Sequence, residues 1–431
     1  MSCNVHRVQT FPQPVPLRTD GSNRFAYDTM ASRLPKNLAN VVAAHPEYPA
    51  AIRDAIGRLA DAIANNAPIP ALPLPAWDYD TWQRCCEPYM GDRWHDSDWF
   101  FAETYGFRLL LSACRYFQTR VDPFGPAKRA ELDSGAPFLP IKRFFGQHGA
   151  AQLEALPAVS REHGVALVAD ALALSMWGNK ADISFAAGGA LDHSAGQSSL
   201  LLIDDCVAAA QALVSRPGAV HIVCDNSGAE LGADLVLALT ICDLVGKSVV
   251  LHPKLYPTYV SDTTVEDVQL FLAAAETSDD QVVAQFAAAV RRAFDQGQLS
   301  LAPDDYWCTT GFLDQLPQRI ARSFDGAAMV IVKGDFNYRR GFRDTLWPPE
   351  TDPTAALGAH FDYPLLFLRT MKSDCLVGAP PAMCVDLDST EPGWRTAGKR
   401  GVIQLVTTDR PSAQLSCGSL TMDSAAPTAL R

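Results

Sequence analysis

AVHIVCDNSGAELGADLVLALTICDLV, residues Ala219–Val245, is the stretch of sequence that decides the fold. It opens with a short apolar run, passes through the polar turn Asp225–Gly228, and continues as an apolar segment long enough for a helix. A continuous apolar run before such a turn is typical of a strand in a parallel sheet that is covered on both faces. The stretch therefore predicts a buried strand, a polar turn at its carboxyl end, and a helix.

Further apolar runs bounded by turn residues follow the same pattern towards the C-terminus. The predicted strands are Ser248–Leu251, Ala328–Val332, Cys375–Val377 and Val402–Val406. Helical spacing of apolar residues over Val265–Ala275 and Gln281–Phe294 separates the first two of these runs. Alternation of strands and helices predicts an α/β fold with a mainly parallel sheet flanked by helices.

The first third of the chain has a different character. Residues 1–35 are rich in proline and polar residues, which predicts an extended arm. Helical spacing of apolar residues and the aromatic segment Trp99–Phe117 predict a mostly helical N-terminal domain over residues 36–160. Residues 161–410 then form the α/β domain, in which we expect a metal and the catalytic residues, and residues 411–431 form a tail.

Composition and charge exclude several classes of protein. The 48% hydrophobic and 19% charged residues are typical of a globular protein. The net charge of -12 argues against a nucleic-acid partner, which needs a basic face, but not against a small anionic substrate. The N-terminus has no apolar stretch of a signal peptide, and acidic residues interrupt the most apolar segment, Ala229–Val245, so no membrane span is expected. Eleven cysteines without a C-x-x-C pair predict free thiols and a cytoplasmic protein.

Polar side chains follow the predicted strands, where ligands bind in parallel sheets. Asp225 and Asn226 follow the first strand, and Asp262 lies beyond the second. These oxygen donors suit Mg²⁺, Mn²⁺ or Co²⁺ better than zinc. Capping of the following helix is the simpler interpretation of Asp225 and Asn226, and for these two residues alone it is favoured.

A second polar cluster, Lys333–Arg340, follows the run Ala328–Val332. Its two arginines can bind a phosphate, and its amide and phenol groups suit sugar hydroxyls. Arg369 and Lys372 add positive charge before Cys375–Val377. A solvated basic turn and an exposed lysine are the alternative interpretations.

Five motifs, taken together and in this order, resemble those of the damage-control phosphatases, a family long catalogued as a domain of unknown function. They are Ser175–Asp182, Asp225–Leu231, Leu251–Asp262, Gly334–Arg340 and Arg369–Lys372. The last is similar to the R-T-x-K signature of the third, acidic-residue methyltransferase-like subfamily. The resemblance runs from about Trp99 to Val406.

The resemblance implies a helical N-terminal part on a Rossmann-like α/β domain, and a metal-dependent phosphatase acting on phosphometabolites such as fructose 1-phosphate. By matching position, one divalent ion (Mn²⁺, Co²⁺, Ni²⁺ or Mg²⁺) is held by Asp225, Asn226 and Asp262. The implied substrate-binding residues are Asn179, Glu230, Asp335, Phe336, Asn337, Tyr338, Arg339, Arg369 and Lys372. The implied catalytic residues are Asp225, Asp262, Asp335 and Lys372, with either Asp262 or Asp335 orienting the attacking water.

The sequence departs from the family pattern at Gly341–Arg343, where a more apolar stretch is usual, and the additional Arg343 leaves the substrate open. A carboxyl methyltransferase using S-adenosylmethionine is an alternative activity attached to the family, although no glycine-rich loop follows the first strand. A metal-dependent enzyme repurposed for a specialised biosynthetic pathway is another. A non-catalytic sugar-phosphate-binding protein is disfavoured because all three metal-ligand positions are retained.

Overall fold

The protein's computed structural model describes residues 14–149, 161–178, 200–359 and 361–407. Its strands are β1 (Val15–Pro16), β2 (Leu201–Asp204), β3 (Val220–Val223), β4 (Val249–His252), β5 (Leu299–Leu301), β6 (Met329–Lys333), β7 (Thr345–Leu346), β8 (Leu365–Thr370) and β9 (Gly401–Val406). Its α-helices are α1 (Arg24–Asp28), α2 (Leu34–Ala44), α3 (Ala50–Ala64), α4 (Tyr79–Cys86), α5 (Trp99–Ala113), α6 (Tyr116–Thr119), α7 (Gly125–Asp133), α8 (Leu139–His148), α9 (Arg161–Trp177), α10 (Cys206–Ser215), α11 (Ala229–Thr240), α12 (Val265–Glu276), α13 (Gln281–Asp295), α14 (Gln318–Ser323), α15 (Gly334–Gly341), α16 (Pro353–Ala356) and α17 (Pro381–Thr390). Two π-helical turns are Thr29–Arg33 and Ile241–Val245.

Seven of the strands form one sheet in the order β2-β9-β8-β6-β3-β4-β5. The strands from β8 to β5 are parallel, whereas β9 runs antiparallel to β8 and parallel to β2. Every residue of β3 and β6 is buried, as continuous apolar strands require when helices cover both faces. The predicted α/β fold, with a mainly parallel sheet flanked by helices, is confirmed.

The predicted strand Cys375–Val377 is wrong, because the chain there has no strand pairing and β8 ends before it. Side chains instead satisfy its backbone. Arg369 donates to its first carbonyl at 2.5 Å, and its last N–H donates to the hydroxyl of Tyr338 at 3.2 Å. Because this backbone carbonyl and this N–H are already hydrogen-bonded to side chains, they do not pair with a neighbouring strand.

Two hydrophobic clusters pack on opposite faces of the sheet. Val330 and Val332 of β6 contribute to one, and Ile331 between them contributes to the other, as alternation along a strand requires. The first cluster includes the buried residues of α2, α3 and α5, and the second includes those of α8 to α13. The N-terminal helices therefore cover one face, whereas α8, which lies within the predicted helical domain 36–160, packs on the other.

The N-terminal helices begin earlier than the sequence predicted. Within the proposed arm 1–35, α1, a π-helical turn and the start of α2 follow one another without a break. Asn23 caps α1 with its side-chain oxygen, and Pro35 stands in the first turn of α2, where proline is tolerated. Leu34 is buried against Gly106 of α5, where an added Cβ would lie 2.7 Å away. This burial holds a polar, proline-containing segment in helical form.

Among the described residues, no helix is both long enough and apolar enough to cross a bilayer. The nine cysteines in the same residues are free thiols, and seven of them are buried.

Candidate metal and substrate site

The turn after β3 meets the segment before α12 through paired backbone. Asn226 and Asp262 form an isolated antiparallel bridge. The N–H of Thr263 donates to the carbonyl of Asp225 at 2.7 Å. The side chains of Asp225, Asn226 and Asp262, all three predicted ligands, thus border one cavity of about 210 Å³.

Two of these three residues, Asp225 and Asp262, belong to a cluster of four buried carboxylates and two buried lysines. The carboxylates are Asp225, Glu230, Asp234 and Asp262, and the lysines are Lys254 and Lys333. Lys333 Nζ lies 2.7 Å from Asp234 and 3.4 Å from Glu230, and Lys254 Nζ lies 3.3 Å from Asp262. The lysines offset two of the four negative charges, so the ionised cluster keeps a formal charge of two minus.

Both predicted carboxylate ligands have raised pKa values. Burial first, and then the charges of Glu230 and Asp262, raise the pKa of Asp225 well above its ordinary value. Burial raises the pKa of Asp262 to about 6, against the opposing charge of Lys254. Burial and, at Asp225, repulsion by neighbouring carboxylates disfavour the ionised groups, and a bound cation would favour them.

The side chains fit a hard divalent cation. Asp262 Oδ2 is buried and accepts no hydrogen bond, because Lys254 is close enough for an ion pair but poorly directed. A Cβ on Gly334 would lie 1.9 Å from Asp225 Oδ2, so the missing side chain keeps space open beside this carboxylate. In the described part of the chain no three His, Cys, Asp or Glu side chains form a metal-binding group, so the ligand set needs the amide of Asn226.

Glu230 lies behind the predicted ligands and does not border the cavity. It accepts a hydrogen bond from Asn226 Nδ2 at 2.9 Å and faces Lys333. The same Nδ2 donates to Asp225 Oδ2 at 2.8 Å, and Asn226 Oδ1 accepts from Ser261 at 2.6 Å. These contacts orient the Asn226 amide with its oxygen towards Ser261.

Asp335 anchors the loop after β8. Its Oδ1 accepts from Arg369 Nε at 2.8 Å, from the backbone N–H of Lys372 at 3.0 Å, and from the hydroxyl of Ser373 at 3.2 Å. Burial alone would raise the pKa of Asp335, but the positive charges of Arg369 and Arg339 outweigh it and lower that pKa. Asp335 is therefore ionised where it borders the cavity, and the exposed side chain of Lys372 borders the same cavity.

Arg339 borders the cavity and is held there by two carboxylates. Its Nε and Nη2 donate to the two carboxylate oxygens of Asp344 at 2.7 and 3.0 Å, and its Nη1 donates to Glu103 at 3.0 Å. The guanidinium also lies 3.6 Å above the ring of Trp99. Phe336 borders the cavity beside it.

The remaining predicted substrate residues of α15 and β8 lie beneath the cavity. Asn337 donates to the carbonyls of Cys224 and Lys333, Tyr338 donates to Gln404 at 3.1 Å, and Arg369 is fully buried. None of these three borders the cavity. Asn179 lies outside the described residues. Arg343, the departure from the family pattern, pairs with Asp314 away from the cavity.

The N-terminal helical segment supplies part of the lining that the sequence did not predict. Phe25, Arg33 and Asn37 border the cavity. A helical signal was present, because the buried residues Ala26, Met30, Leu34 and Leu38 recur every four positions. The prolines and polar residues of this segment outweighed that signal in the prediction of an extended arm.

A protein-family model described as the damage-control phosphatase ARMT1-like domain matches residues 29–385. The chain belongs to this family. Damage-control phosphatase ARMT1 of Danio rerio is 26% identical over 445 residues, covering 93% of this chain and 98% of that protein. The Homo sapiens protein of the same name is 23% identical over 445 residues, covering 91% and 98%. A crystal structure of a DUF89 family protein from Pyrococcus horikoshii aligns with 89% of this chain and 98% of its own, at a TM-score of 0.45 and 17% identity.

The predicted family is confirmed. As an ARMT1-like damage-control phosphatase, the chain is a metal-dependent phosphatase that acts on small phosphorylated metabolites. The cavity beside the cluster of carboxylates is the candidate site for this chemistry in the described residues.

Proposed function

We propose that the chain hydrolyses small sugar phosphates such as fructose 1-phosphate, with one divalent ion held by Asp225, Asn226 and Asp262. The observation that carries this proposal is the excess of four buried carboxylates over two buried lysines, a formal charge of two minus when all are ionised, next to the cavity that Lys372 borders. A single divalent cation cancels that charge and leaves Lys372 for the phosphoryl group. Mn²⁺ and Mg²⁺ suit the oxygen donors best, and Co²⁺ and Ni²⁺ are the alternatives.

When bound, the ion supplies Lewis acidity towards a phosphate oxygen and a water molecule. The flexible ammonium of Lys372 offsets charge on the phosphoryl oxygens. Asp335 orients the attacking water in our proposal, because Asp262 serves the metal. The hydrogen bonds that Asp335 accepts all go to Oδ1, so Oδ2 is the oxygen that faces the water.

The other predicted residues support the site in different ways under this proposal. Phe336 and Arg339 contact the substrate at the cavity wall. Arg369 acts through Asp335, and Glu230 acts through the amide of Asn226. Asn337 and Tyr338 hold α15 against its neighbours, and Asn179 stays a sequence-based prediction.

Phosphate release from fructose 1-phosphate in the presence of Mn²⁺ or Co²⁺, repeated in EDTA, tests the proposed function. Replacing Lys372→Met is expected to lower kcat/KM by roughly a hundredfold, because a charge that meets the developing transition state is lost. Lys36→Met is the matched control, because Lys36 is an exposed lysine outside the cavity. Turnover that persists unchanged in EDTA contradicts the metal's role, and a Lys372→Met enzyme as active as the control contradicts the assignment of that lysine.

The alternative functions have little support among the described residues. Arg343 was the hint of a repurposed reaction, and its pairing with Asp314 outside the cavity removes that hint. For a methyltransferase, the turn after β3 offers little room for a cofactor, because Glu131 lies against Gly228 and accepts from the N–H of Ala229 at 3.3 Å. Calorimetric titration with S-adenosylmethionine is expected to give no heat of binding.

A further inference from the structure

Arg33 is a positive charge at the cavity without an ion pair. Its side chain is exposed and borders the cavity, and no carboxylate of the described residues lies within 4.0 Å of it. Nη1 donates weakly to the hydroxyl of Thr29 at 3.4 Å, and the guanidinium carbon lies 4.8 Å from the centre of the Phe25 ring. The side chain is thus supported by its own helix and by an aromatic ring, and its remaining N–H groups are available.

The other arginine that borders the cavity cannot serve in the same way. Arg339 donates hydrogen bonds from Nε and Nη2 to Asp344 and from Nη1 to Glu103. Two of its five N–H groups remain, but its charge is already offset by two carboxylates. Within the described cavity lining, Lys372 and Arg33 are therefore the cations without an ion pair.

These two cations serve different parts of the cavity. The backbone N–H of Lys372 donates to Asp335 at 3.0 Å, and an added Cβ on the neighbouring Gly334 would meet the carboxylate of Asp225. Lys372 accordingly lies towards the predicted metal ligands. Leu34, beside Arg33, packs on Gly106, about one helical turn after Glu103 in α5. Arg33 accordingly lies towards Glu103, whose carboxylate Arg339 already holds.

The segment that carries Arg33 is fixed to the loops around the site. Asn23 Nδ2 donates to Asp374 at 2.6 Å, two residues beyond Lys372. β1 pairs with β7, which follows the α15 loop. Leu34, the next residue along the chain, is 1% exposed. The position of Arg33 relative to Lys372 is therefore set by packing, as a binding residue requires.

We propose that Arg33 is a substrate-binding residue that donates hydrogen bonds to an oxygen on the metabolite part of the substrate, outside the phosphoryl group. This assignment rests on the proposed function, because it leaves the phosphoryl group to Lys372 and the metal ligands. A guanidinium selects hydroxyl, carbonyl, carboxylate or second phosphate oxygens. Asn37, one helical turn later, adds an amide to the same wall. The substrate class is then a phosphate monoester of an oxygen-rich alcohol, and simple aryl esters lack the group that Arg33 binds.

Comparison of two esters tests this assignment. In Arg33→Met, which keeps an unbranched stem over Phe25, KM for fructose 1-phosphate is expected to rise about tenfold or more, the cost of a hydrogen bond from a charged group. We expect kcat to stay within about twofold and KM for phenyl phosphate to stay unchanged, because phenyl phosphate has no oxygen beyond its phosphate group. Arg33→Lys should recover part of the loss. Arg24→Met is the control, because Arg24 is exposed, pairs with Asp28 and lies outside the cavity.

An unchanged KM for fructose 1-phosphate in Arg33→Met would overturn the assignment, and so would an equal rise for both esters. Fructose 1,6-bisphosphate distinguishes the two sources of the oxygen: a larger effect than on fructose 1-phosphate identifies a second anionic group, and an equal effect identifies a hydroxyl or carbonyl. If the wild-type enzyme hydrolyses neither ester, the proposed function fails on its own. Calorimetric binding of fructose 1-phosphate still tests Arg33 in that case, and equal affinities of wild type and Arg33→Met would reject it.

Discussion

Gly334 illustrates how a single residue shapes this site. It lies where β6 passes into α15, and its φ of +80° is in the left-handed region that favours glycine. The nearest atoms to an added Cβ all belong to the carboxyl side chain of Asp225. Backbone conformation and space therefore both require a residue without a side chain at this position.

We expect Gly334→Ala to displace the Asp225 carboxylate and to lower the affinity for Mn²⁺ by roughly tenfold to a hundredfold. Calorimetric titration of the purified variant measures this loss. Gly146→Ala is the control, because an added Cβ in that helix meets nothing within 4 Å and should leave affinity unchanged. Wild-type affinity in Gly334→Ala would show that Asp225 does not ligate the ion.

The sequence predicts which residues border the cavity where those residues directly follow the end of a strand. Asp225, Asn226 and Asp262 follow strand ends, and they border the same cavity. The engagement of Arg339 could not be predicted in this way, because its partner Glu103 is 236 residues distant in sequence. Only the folded chain brings these two side chains together.

At the scale of elements, one lysine joins α7 to the start of α12 and to a predicted metal ligand. Thr264 and Asp267 form a capping box at the first turn of α12. Lys128 of α7 donates to Asp267 at 2.8 Å and to the backbone carbonyl of Asp262 at 3.0 Å, and it pairs with Asp122 at 3.1 Å. The helix start and the metal-binding segment are thus held by the same ammonium group.

Lys128→Met is expected to lower the free energy of unfolding by about 3–5 kcal/mol, because it leaves two poorly solvated carboxylates without their partner. Urea unfolding measures this change, and calorimetry should show weaker Mn²⁺ binding in the same variant. Lys142→Met removes an exposed pair with Asp280 and is expected to cost less than about 1 kcal/mol. Equal stabilities of the two variants would disprove the link.

Elements with long or continuous apolar patterns could be predicted from the sequence. Those patterns correspond to β3, β4, β6, α11, α12 and α13. The edge strands β2 and β5, of four and three residues, are too short to show a recognisable spacing of apolar residues. The first four residues of β8 are apolar as well, but the sequence predicts the strand at Cys375–Val377 instead, because the side-chain hydrogen bonds to that segment leave no trace in the apolar pattern.

At the scale of the whole molecule, the acidic chain of net charge -12 concentrates uncompensated negative charge at the edge of its sheet. Asp225 and Asp262 are buried where the strands end, and this burial raises their pKa values. Binding of a cation at this site is therefore coupled to the stability of the entire fold.

Mn²⁺ is expected to raise the Tm, and to raise it more at about pH 7.5 than at about pH 5.5. Burial raises the pKa of Asp262 to about 6, so protons compete with the cation for this carboxylate more strongly at the lower pH. In the metal-free protein, the protonated Asp262 side chain stabilises the folded state at acidic pH, and this stabilisation is lost as the pH rises through about 6. The cation therefore restores more folding stability at the higher pH. Scanning calorimetry with and without Mn²⁺ measures the difference. Asp262→Asn should lower the rise in Tm at about pH 7.5, because the variant lacks a predicted ligand, and an equal rise at both pH values in the wild type would contradict the titration of this site.

The helical stretch over residues 25–37 forms a wall of the cavity, although it is encoded some two hundred positions before the carboxylates that it faces. If Arg33 binds the substrate as proposed, replacements in that wall change which alcohol the enzyme accepts while the reacting groups stay in place. Selectivity and chemistry would then reside on separate pieces of chain. An engineer could randomise the first piece to redirect the enzyme without rebuilding the second.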